Sequence, residues 1–313
     1  MSSASVGGDA GTHAARSPQT VARCNLCETQ VEPGQAPRWV KDGYAIYQCS
    51  SCGLIYRGDV PTPNELLSIY APSYFRSQEG GDADGYADYL SDESEHRLTA
   101  RRRVERLSRV VSRGRLLDVG AAAGFFIDEA RLRGWDVQGI DVSPDMSAWG
   151  REHLGLDIAT GLFQQSNYPA DSFDALTMWD YIEHSIDPTR DFAMAARVLR
   201  RDGALVLSTG DAASLVARLS GKRWHLLTPR HHNFFFTVDT LTRFLRESGF
   251  EVLTVGHPSA HYSLRYLVHK LGTMAPRSAG LRRLSAVVSG RSLGERSVRL
   301  NLFDIATIVA RRV

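Results

Sequence analysis

The residues best suited to chemistry are four cysteines, Cys24, Cys27, Cys49 and Cys52, the whole cysteine complement of the chain. They form two C-x-x-C pairs separated by a stretch that holds Pro33, Gly34 and Pro37. Two such knuckles supply four soft thiolates that can converge tetrahedrally on one zinc ion, a donor set unsuited to magnesium or calcium. The gap between the pairs is slightly longer than the usual template, and redox-active thiols are the alternative use of the motif. Four protein ligands leave no open position for water, so this zinc is expected to fold a ribbon and not to catalyse. A second constellation is LLDVGAAAGFF, residues 116–126. An apolar strand ends there in Asp118, a tight turn carries Gly120 and Gly124, and a helix follows. Small residues let a ligand approach the backbone, and the helix N-terminus offers unpaired N–H groups. The next strand, DVQGID, ends in Asp141, where a carboxylate can accept two ribose hydroxyls. A dinucleotide would want glycines at G-x-G-x-x-G spacing; the aligned positions are Gly120, Ala122 and Phe125. Phenylalanine at the third place argues against NAD, because that position packs helix closely on strand.

The elements that must position these residues follow from composition and pattern. At 313 residues the chain suits one large domain, or an ordinary one with an appendage. Its 43% hydrophobic and 23% charged residues are those of a globular protein and exclude a disordered or collagenous one. A formal charge of +2 creates no global field, so a nucleic-acid role would need a local patch. No run approaches the ~18 apolar residues that cross a bilayer. The first twenty residues lack the apolar stretch of a secretory signal and read as a polar, disordered tail, which points to a cytoplasmic protein. A Tyr-rich stretch from Tyr70 to Tyr89 precedes a basic helix over 97–109, whose Leu98, Val104, Leu107, Val110 and Val111 suit one face. From Arg115 short apolar runs (RLLDV, DVQGID, FDALTM, ALVLST, FEVLTV) alternate with helical segments, and NLFDIATIVARRV reads as a last strand. Ser143-Pro144 supplies an N-cap with proline at the first helical position. This is the βαβ alternation of an α/β fold, a doubly wound, mostly parallel sheet covered on both faces.

Within that frame LLDVGAAAGFF resembles D-x-G-x-G-x-G, the first motif of class I S-adenosylmethionine-dependent methyltransferases, with Ala122 replacing the middle glycine. GLFQQSNYPADSFDAL is similar to the family's stretch that lines adenine. Leu162 stands where many members carry an acidic residue, and Phe163 is placed to pack on the ring. MWDYIEHSIDP resembles the strand-four segment ending in Glu-His-x-x-Asp-Pro, and HHNFFFTVDTLTRFLRESGFEV resembles the segment before the sixth strand. GYADY and the preceding ribbon look like the subgroup that carries an N-terminal ribbon and lid and tailors sugars, polysaccharides or secondary metabolites. The resemblance implies a seven-stranded sheet and a division into tail (1–20), zinc ribbon (21–58), linker and Tyr-rich lid (59–106) and S-adenosylmethionine-binding domain (107–313). It also implies a cofactor site built from Asp118, Gly120, Ala122, Gly124 and Phe125 at the turn, Asp141 and Val142 at the ribose, and Leu162 and Phe163 at the adenine. Trp179, or Tyr86 from the lid, would face the sulfonium, where an aromatic face favours positive charge.

An alcohol acceptor benefits from a base, and the resemblance places His184, with Glu183 beside it, and His232 on the acceptor side. After strand four the chain reads WDYIEH and not the N/D-P-P-Y/F of many amino-group methyltransferases, which sets oxygen, or a carbon beside a carbonyl, ahead of nitrogen. The expected activity is O-methylation of a small molecule or saccharide. C-methylation of a nucleotide-sugar, RNA methylation and a non-catalytic ribbon-based interaction protein are the alternatives. Around the cysteines Arg23, Arg38, Lys41 and Arg57 are balanced by Glu28, Glu32, Asp42 and Asp59, which disfavours RNA. Between Glu251 and Glu295 no residue is acidic while Arg265, Lys270, Arg277, Arg282, Arg283 and Arg291 are basic. That stretch either balances the acidic residues of 79–95, meets an anionic acceptor, or rests on an acidic membrane surface as a peripheral contact. Acceptor identity and oligomeric state are left open at this level.

Overall fold

The computed structural model describes residues 23–32, 34–62, 65, 66, 70, 89–263 and 297–313. The expected tail, Tyr86 and the basic residues from Arg265 to Arg291 lie outside them. Three short strands open the described chain: β1 (Trp39–Lys41), β2 (Tyr44–Gln48) and β3 (Ile55–Arg57), paired antiparallel in that order. Each Cys-x-x-Cys pair is a tight knuckle, closed by Glu28 N–H to the Cys24 carbonyl and Gly53 N–H to the Cys49 carbonyl, both 2.9 Å. Residues Glu28 and Gly53 both adopt positive φ, the conformation that brings the two thiols of a knuckle to one side.

Helix α1 (Glu93–Leu107) then leads into the large sheet. Its Ala100, Val104 and Leu107 are buried, but Leu98 and Val110, expected on the same face, are exposed. Ala100, Val104 and Leu107 share a cluster with Phe126, Ile127 and Ala130, and ion pairs flank this contact. Arg97 pairs with Asp128 at 2.8 Å and Arg101 with Glu129 at 3.2 Å, both acids lying on α2 (Phe125–Arg131).

The sheet comprises β4 (Arg115–Val119), β5 (Asp136–Asp141), β6 (Ile158–Thr160), β7 (Phe173–Trp179), β8 (Leu199–Gly210), β10 (Phe250–Gly256) and β13 (Ile305–Arg312). Its order is β10-β13-β8-β7-β4-β5-β6, and β13 alone runs against its neighbours. Helices α3 (Pro144–Leu154), α4 (Pro188–Val198), α5 (Leu215–Ser220) and α6 (Val238–Glu247) join these strands. Capping fixes where they begin: the Ser143 side chain accepts from Met146 N–H with Pro144 at the first turn, and Thr237 and Thr240 form a reciprocal capping box. This is the fold class expected from the alternation. A separate pair, β11 (Ala260–Ser263) and β12 (Ser297–Leu300), flanks the undescribed basic stretch.

The ribbon does not stand apart from the sheet domain. Strand β9 (Phe234–Phe235) joins β3 as a fourth strand, and Cys24, Leu54 and Tyr56 share one apolar cluster with Leu176, Phe192 and Phe236. Gly124 illustrates how closely the domain packs. It sits at φ +86°, and a Cβ there would lie 2.6 Å from Leu156 Cδ1 and 2.8 Å from Ile158 Cδ1. Left-handed backbone costs an L-residue ~1–2 kcal/mol and overpacking adds ~1–3. Gly124→Ala is therefore expected to lower unfolding free energy by about 2–5 kcal/mol in urea titration; a loss under about 0.5 kcal/mol would show that the contact relaxes freely.

Candidate active site

The C-terminal ends of β4, β5 and β7 open onto a cavity of about 370 Å³, within the range of small-ligand sites. The first βα turn shapes one wall. Gly120 and Ala121 N–H both donate to the Ile140 carbonyl, at 2.9 and 3.1 Å, which folds the turn over β5. Gly120 has φ +79° and Ala122 φ +46°. The left-handed backbone at Ala122 explains why glycine suits this position, and its N–H is held by Asp141 Oδ2 at 2.7 Å. Asp141 Oδ1 accepts from Ser143 N–H at 2.8 Å. Burial raises the Asp141 carboxyl above its ordinary range, opposed by these two donors. At the base Asp118 accepts from the Thr177 hydroxyl at 2.6 Å, and burial pushes it up to about 7.

Of the cofactor residues expected from the sequence, Asp118, Gly120, Ala122, Asp141, Val142, Leu162, Phe163 and Trp179 line the cavity. Gly124 and Phe125 do not. Phe125 is packed in a stack with Tyr89 and His96, at 5.8 and 6.0 Å between ring centroids, and Phe126 faces the cavity in its place. The first helical turn thus presents its second phenylalanine, a choice of face that a two-residue repeat could not reveal. Also absent from the sequence expectation are Tyr70, Tyr89, Arg103 and Tyr181, all in the wall. Tyr70 and Tyr89 bound the Tyr-rich stretch and were a visible signal. Arg103, by contrast, looks no different from Arg101 and Arg102 until the helix is docked. Its guanidinium lies 4.7 Å over the Trp179 ring and pairs with Asp180.

The acceptor-side residues sit on a 3₁₀ turn (Ile182–His184) that follows β7. His184 lines the cavity, with its Nδ1 2.6 Å from the Tyr70 hydroxyl and 3.0 Å from the His231 carbonyl oxygen. A carbonyl only accepts, so Nδ1 carries the hydrogen and the neutral ring keeps its lone pair on Nε2. His232 is outside the wall but packs edge-on behind His184, at 4.6 Å between centroids. Its Nδ1 donates to the Leu226 carbonyl at 2.9 Å, giving the same tautomer. Burial holds both rings neutral: His184 well below its ordinary value, lowered further by His232, and His232 down to about 4. Glu183 is buried and is not among the residues that line the cavity, and its Oε2 lacks a hydrogen-bond partner among the described residues. A carboxylate oxygen of Glu183 and one ring nitrogen each of His184 and His232 all lie within 4.8 Å of one another.

Burial first, then the charge of Asp180, pushes the Glu183 carboxyl up to about 8. An unfolded glutamate titrates near about 4.3. Between these values the folded chain holds a proton that the unfolded chain has released, so stability falls as pH rises through the window. Glu183→Gln, always neutral, is expected to shrink the drop in melting temperature between about pH 5 and pH 8. An undiminished drop would show that Glu183 titrates as an ordinary carboxylate.

In the ribbon the four thiols converge. Cys24 and Cys52 sulfurs are 3.5 Å apart, as are those of Cys27 and Cys49, and none is in a disulfide. A tetrahedron with Zn–S of about 2.3 Å has an edge of about 3.8 Å, so the spacing fits a closed four-thiolate ion site.

Comparison with known proteins identifies the family. The methyltransferase domain family matches residues 93–255. The ubiquinone biosynthesis O-methyltransferase of Xanthomonas axonopodis pv. citri is 28% identical over 155 residues, covering 44% of this chain and 63% of that protein. Its Thiobacillus denitrificans counterpart is 31% identical over 149 residues, covering 44% and 64%. The match therefore spans less than two thirds of the length of these curated relatives. Among solved structures, geranyl diphosphate C-methyltransferase from Streptomyces coelicolor, complexed with Mg2+, geranyl diphosphate and S-adenosyl-L-homocysteine, superposes with TM-score 0.50 at 15% identity. That superposition covers 81% of this chain and all of the other. No helix among the described residues is long and apolar enough to cross a membrane. With the family spanning more than half of the chain and the sheet order and βα turn in place, the protein belongs to the class I S-adenosylmethionine-dependent methyltransferase family.

Proposed function

We propose that the protein transfers the methyl group of S-adenosylmethionine to a hydroxyl of a small molecule or saccharide. The observation that carries this reading is one continuous cavity that joins the turn of Gly120 and the Asp141 carboxylate to the ring of His184. Bound there, the donor supplies an already activated methyl on a sulfonium, so the chain needs no covalent nucleophile. Asp141, held by two N–H groups, keeps lone pairs for the ribose hydroxyls. Leu162 and Phe163 offer the adenine an apolar wall, and Arg103 is placed to meet the donor's carboxylate. Positioning of the acceptor oxygen supplies much of the rate, and His184 Nε2 takes its proton. His232 stands behind it as a second neutral imidazole. The O-methyltransferase names of the relatives support oxygen as the acceptor atom.

The four cysteines are assigned to one zinc that folds the ribbon and holds it on the methyltransferase domain. Chemistry is kept apart from this ion, since four thiolates fill its coordination.

His184→Ala tests the base. Affinity for S-adenosylhomocysteine should change less than about twofold, because its contacts lie on the β4–β5 side. Methyl transfer should fall about 10²–10⁴-fold, followed by release of S-adenosylhomocysteine in the presence of acceptor. Full turnover in this variant, with loss in His232→Ala, would move the base to the second histidine.

A further inference from the structure

We propose that Asn233 is the positioning residue of the acceptor half of the site: its buried amide holds the turn that carries Glu183 and His184, and its backbone ties that turn to the cysteine ribbon. The inference rests on the methyl-transfer reading for what the turn does, but not for the geometry. Asn233 is 1% exposed. Its backbone N–H donates to the Glu183 carbonyl at 2.8 Å. Its side-chain Nδ2 donates to the His184 carbonyl at 3.0 Å and to the Ser185 carbonyl at 3.1 Å. Three successive carbonyls at the end of one short turn, which the turn cannot satisfy itself, are thus taken by one residue.

The orientation of the amide is not free. Both partners of Nδ2 are carbonyls, which only accept, so the nitrogen must face the turn. Oδ1 is then left buried with no hydrogen-bond partner among the described residues. A buried acceptor without a donor is costly, and an apolar residue of this volume would avoid the cost. The amide is explained by its two donors and the turn they hold.

What the turn gains is a fixed distance between two imidazoles. His232 precedes Asn233 in the chain, and its ring meets that of His184 at 4.6 Å. A shift of Asn233 relative to the turn would change that pair directly. On its other side the Asn233 carbonyl accepts from Arg57 N–H at 2.8 Å, where β3 runs alongside β9. The Arg57 guanidinium also donates to the Pro229 carbonyl at 2.8 Å. Arg57 of the ribbon therefore grips the segment bearing His232 at two points, and Asn233 carries that hold to the His184 turn. The donor half, on the β4 and β5 turns, has no part in these bonds.

Two variants of the full-length, metal-loaded protein test this. Asn233→Ala deletes the side-chain donors and leaves the backbone bonds in place. Asn233→Asp keeps the shape and sets a carboxylate oxygen against two carbonyls. The readouts are the ring nitrogen signals of histidine in ¹⁵N-labelled protein at neutral pH, and calorimetric titration with S-adenosylhomocysteine. In the wild type, His184 and His232 should each show a neutral ring protonated at Nδ1. In Asn233→Ala the His184 signature should be lost or exchange-broadened, more severely so in Asn233→Asp, while affinity for S-adenosylhomocysteine stays within about twofold. Superimposable His184 signals in both variants overturn the proposal. Loss of fold and of ligand binding in both overturns it too, since Asn233 would then be a general core residue. Failure of the wild type to bind S-adenosylhomocysteine would sink the methyl-transfer reading and leave the assignment of Asn233 to the ring spectra.

Discussion

Asp141→Ala is expected to lower affinity for S-adenosylhomocysteine by about 10²–10⁴-fold. Two losses combine. The carboxylate no longer meets the ribose hydroxyls, and hydrogen bonds to a charged group contribute ~1.5–3 kcal/mol each. At about 1.4 kcal/mol per decade, two such bonds span the stated range. The same change also leaves the Ala122 and Ser143 N–H groups without their acceptor, in a pocket where Asp141 is only 8% exposed. Ala122 has positive φ, so the turn loses the bond that holds an unfavourable backbone conformation. Asp141→Asn should fall between, because the amide retains one acceptor oxygen and turns a donor towards one of the two N–H groups. Calorimetric titration separates the three proteins. An alanine variant that binds within about threefold of the wild type would show that the ribose does not rest on this carboxylate, and the donor site would have to be sought elsewhere.

Removing the metal is expected to have the largest effect on stability. Purified protein should carry about one zinc per chain by elemental analysis, and Cys49→Ser should carry almost none. Within the ribbon the knuckles are held by short strands and a few turn bonds, whereas structural zinc contributes ~10–16 kcal/mol in isolated fingers. Part of that is replaced here by the β3–β9 ladder and the shared apolar cluster. A net loss of about 5 kcal/mol, or a melting temperature lower by about 10–20 °C, is the expected outcome. The unfolding should also reach the His184 turn, because the Asn25 side chain donates to Asp187 at 3.1 Å and Arg57 N–H bonds to Asn233. Zinc-free protein with an unchanged melting curve would show that the thiols are a packed cluster and not a metal centre.

The parts that could be read along the chain were those whose signal is local. Strand β4, its turn and α2 follow from RLLDV and the glycines after it, because apolar runs, small residues and caps act over a few positions. Phe125 against Phe126 could not be settled this way, since both follow Gly124 and both are buried, and the packing of Tyr89 and His96 on Phe125 leaves Phe126 to the cavity. The basic helix shows the same limit. Its periodicity indicated a helix, yet Leu98 is exposed beside the face that packs on α2, and Val110 lies past the helix end at Leu107.

By itself, then, the order of residues determined the alternation of β4, β5, β7, β8, β10 and β13 with helices, the βα turn, the carboxylate after the second strand, and the two cysteine pairs, each a property of short-range spacing. Tertiary structure alone decided that Arg103, not its two neighbours, reaches the cavity. It alone placed His232 behind His184 and not in the wall, and made a strand from the far half of the chain complete the ribbon sheet. Such contacts depend on how packed surfaces rotate and approach, and burial then sets the protonation of the groups they enclose; no local pattern encodes either.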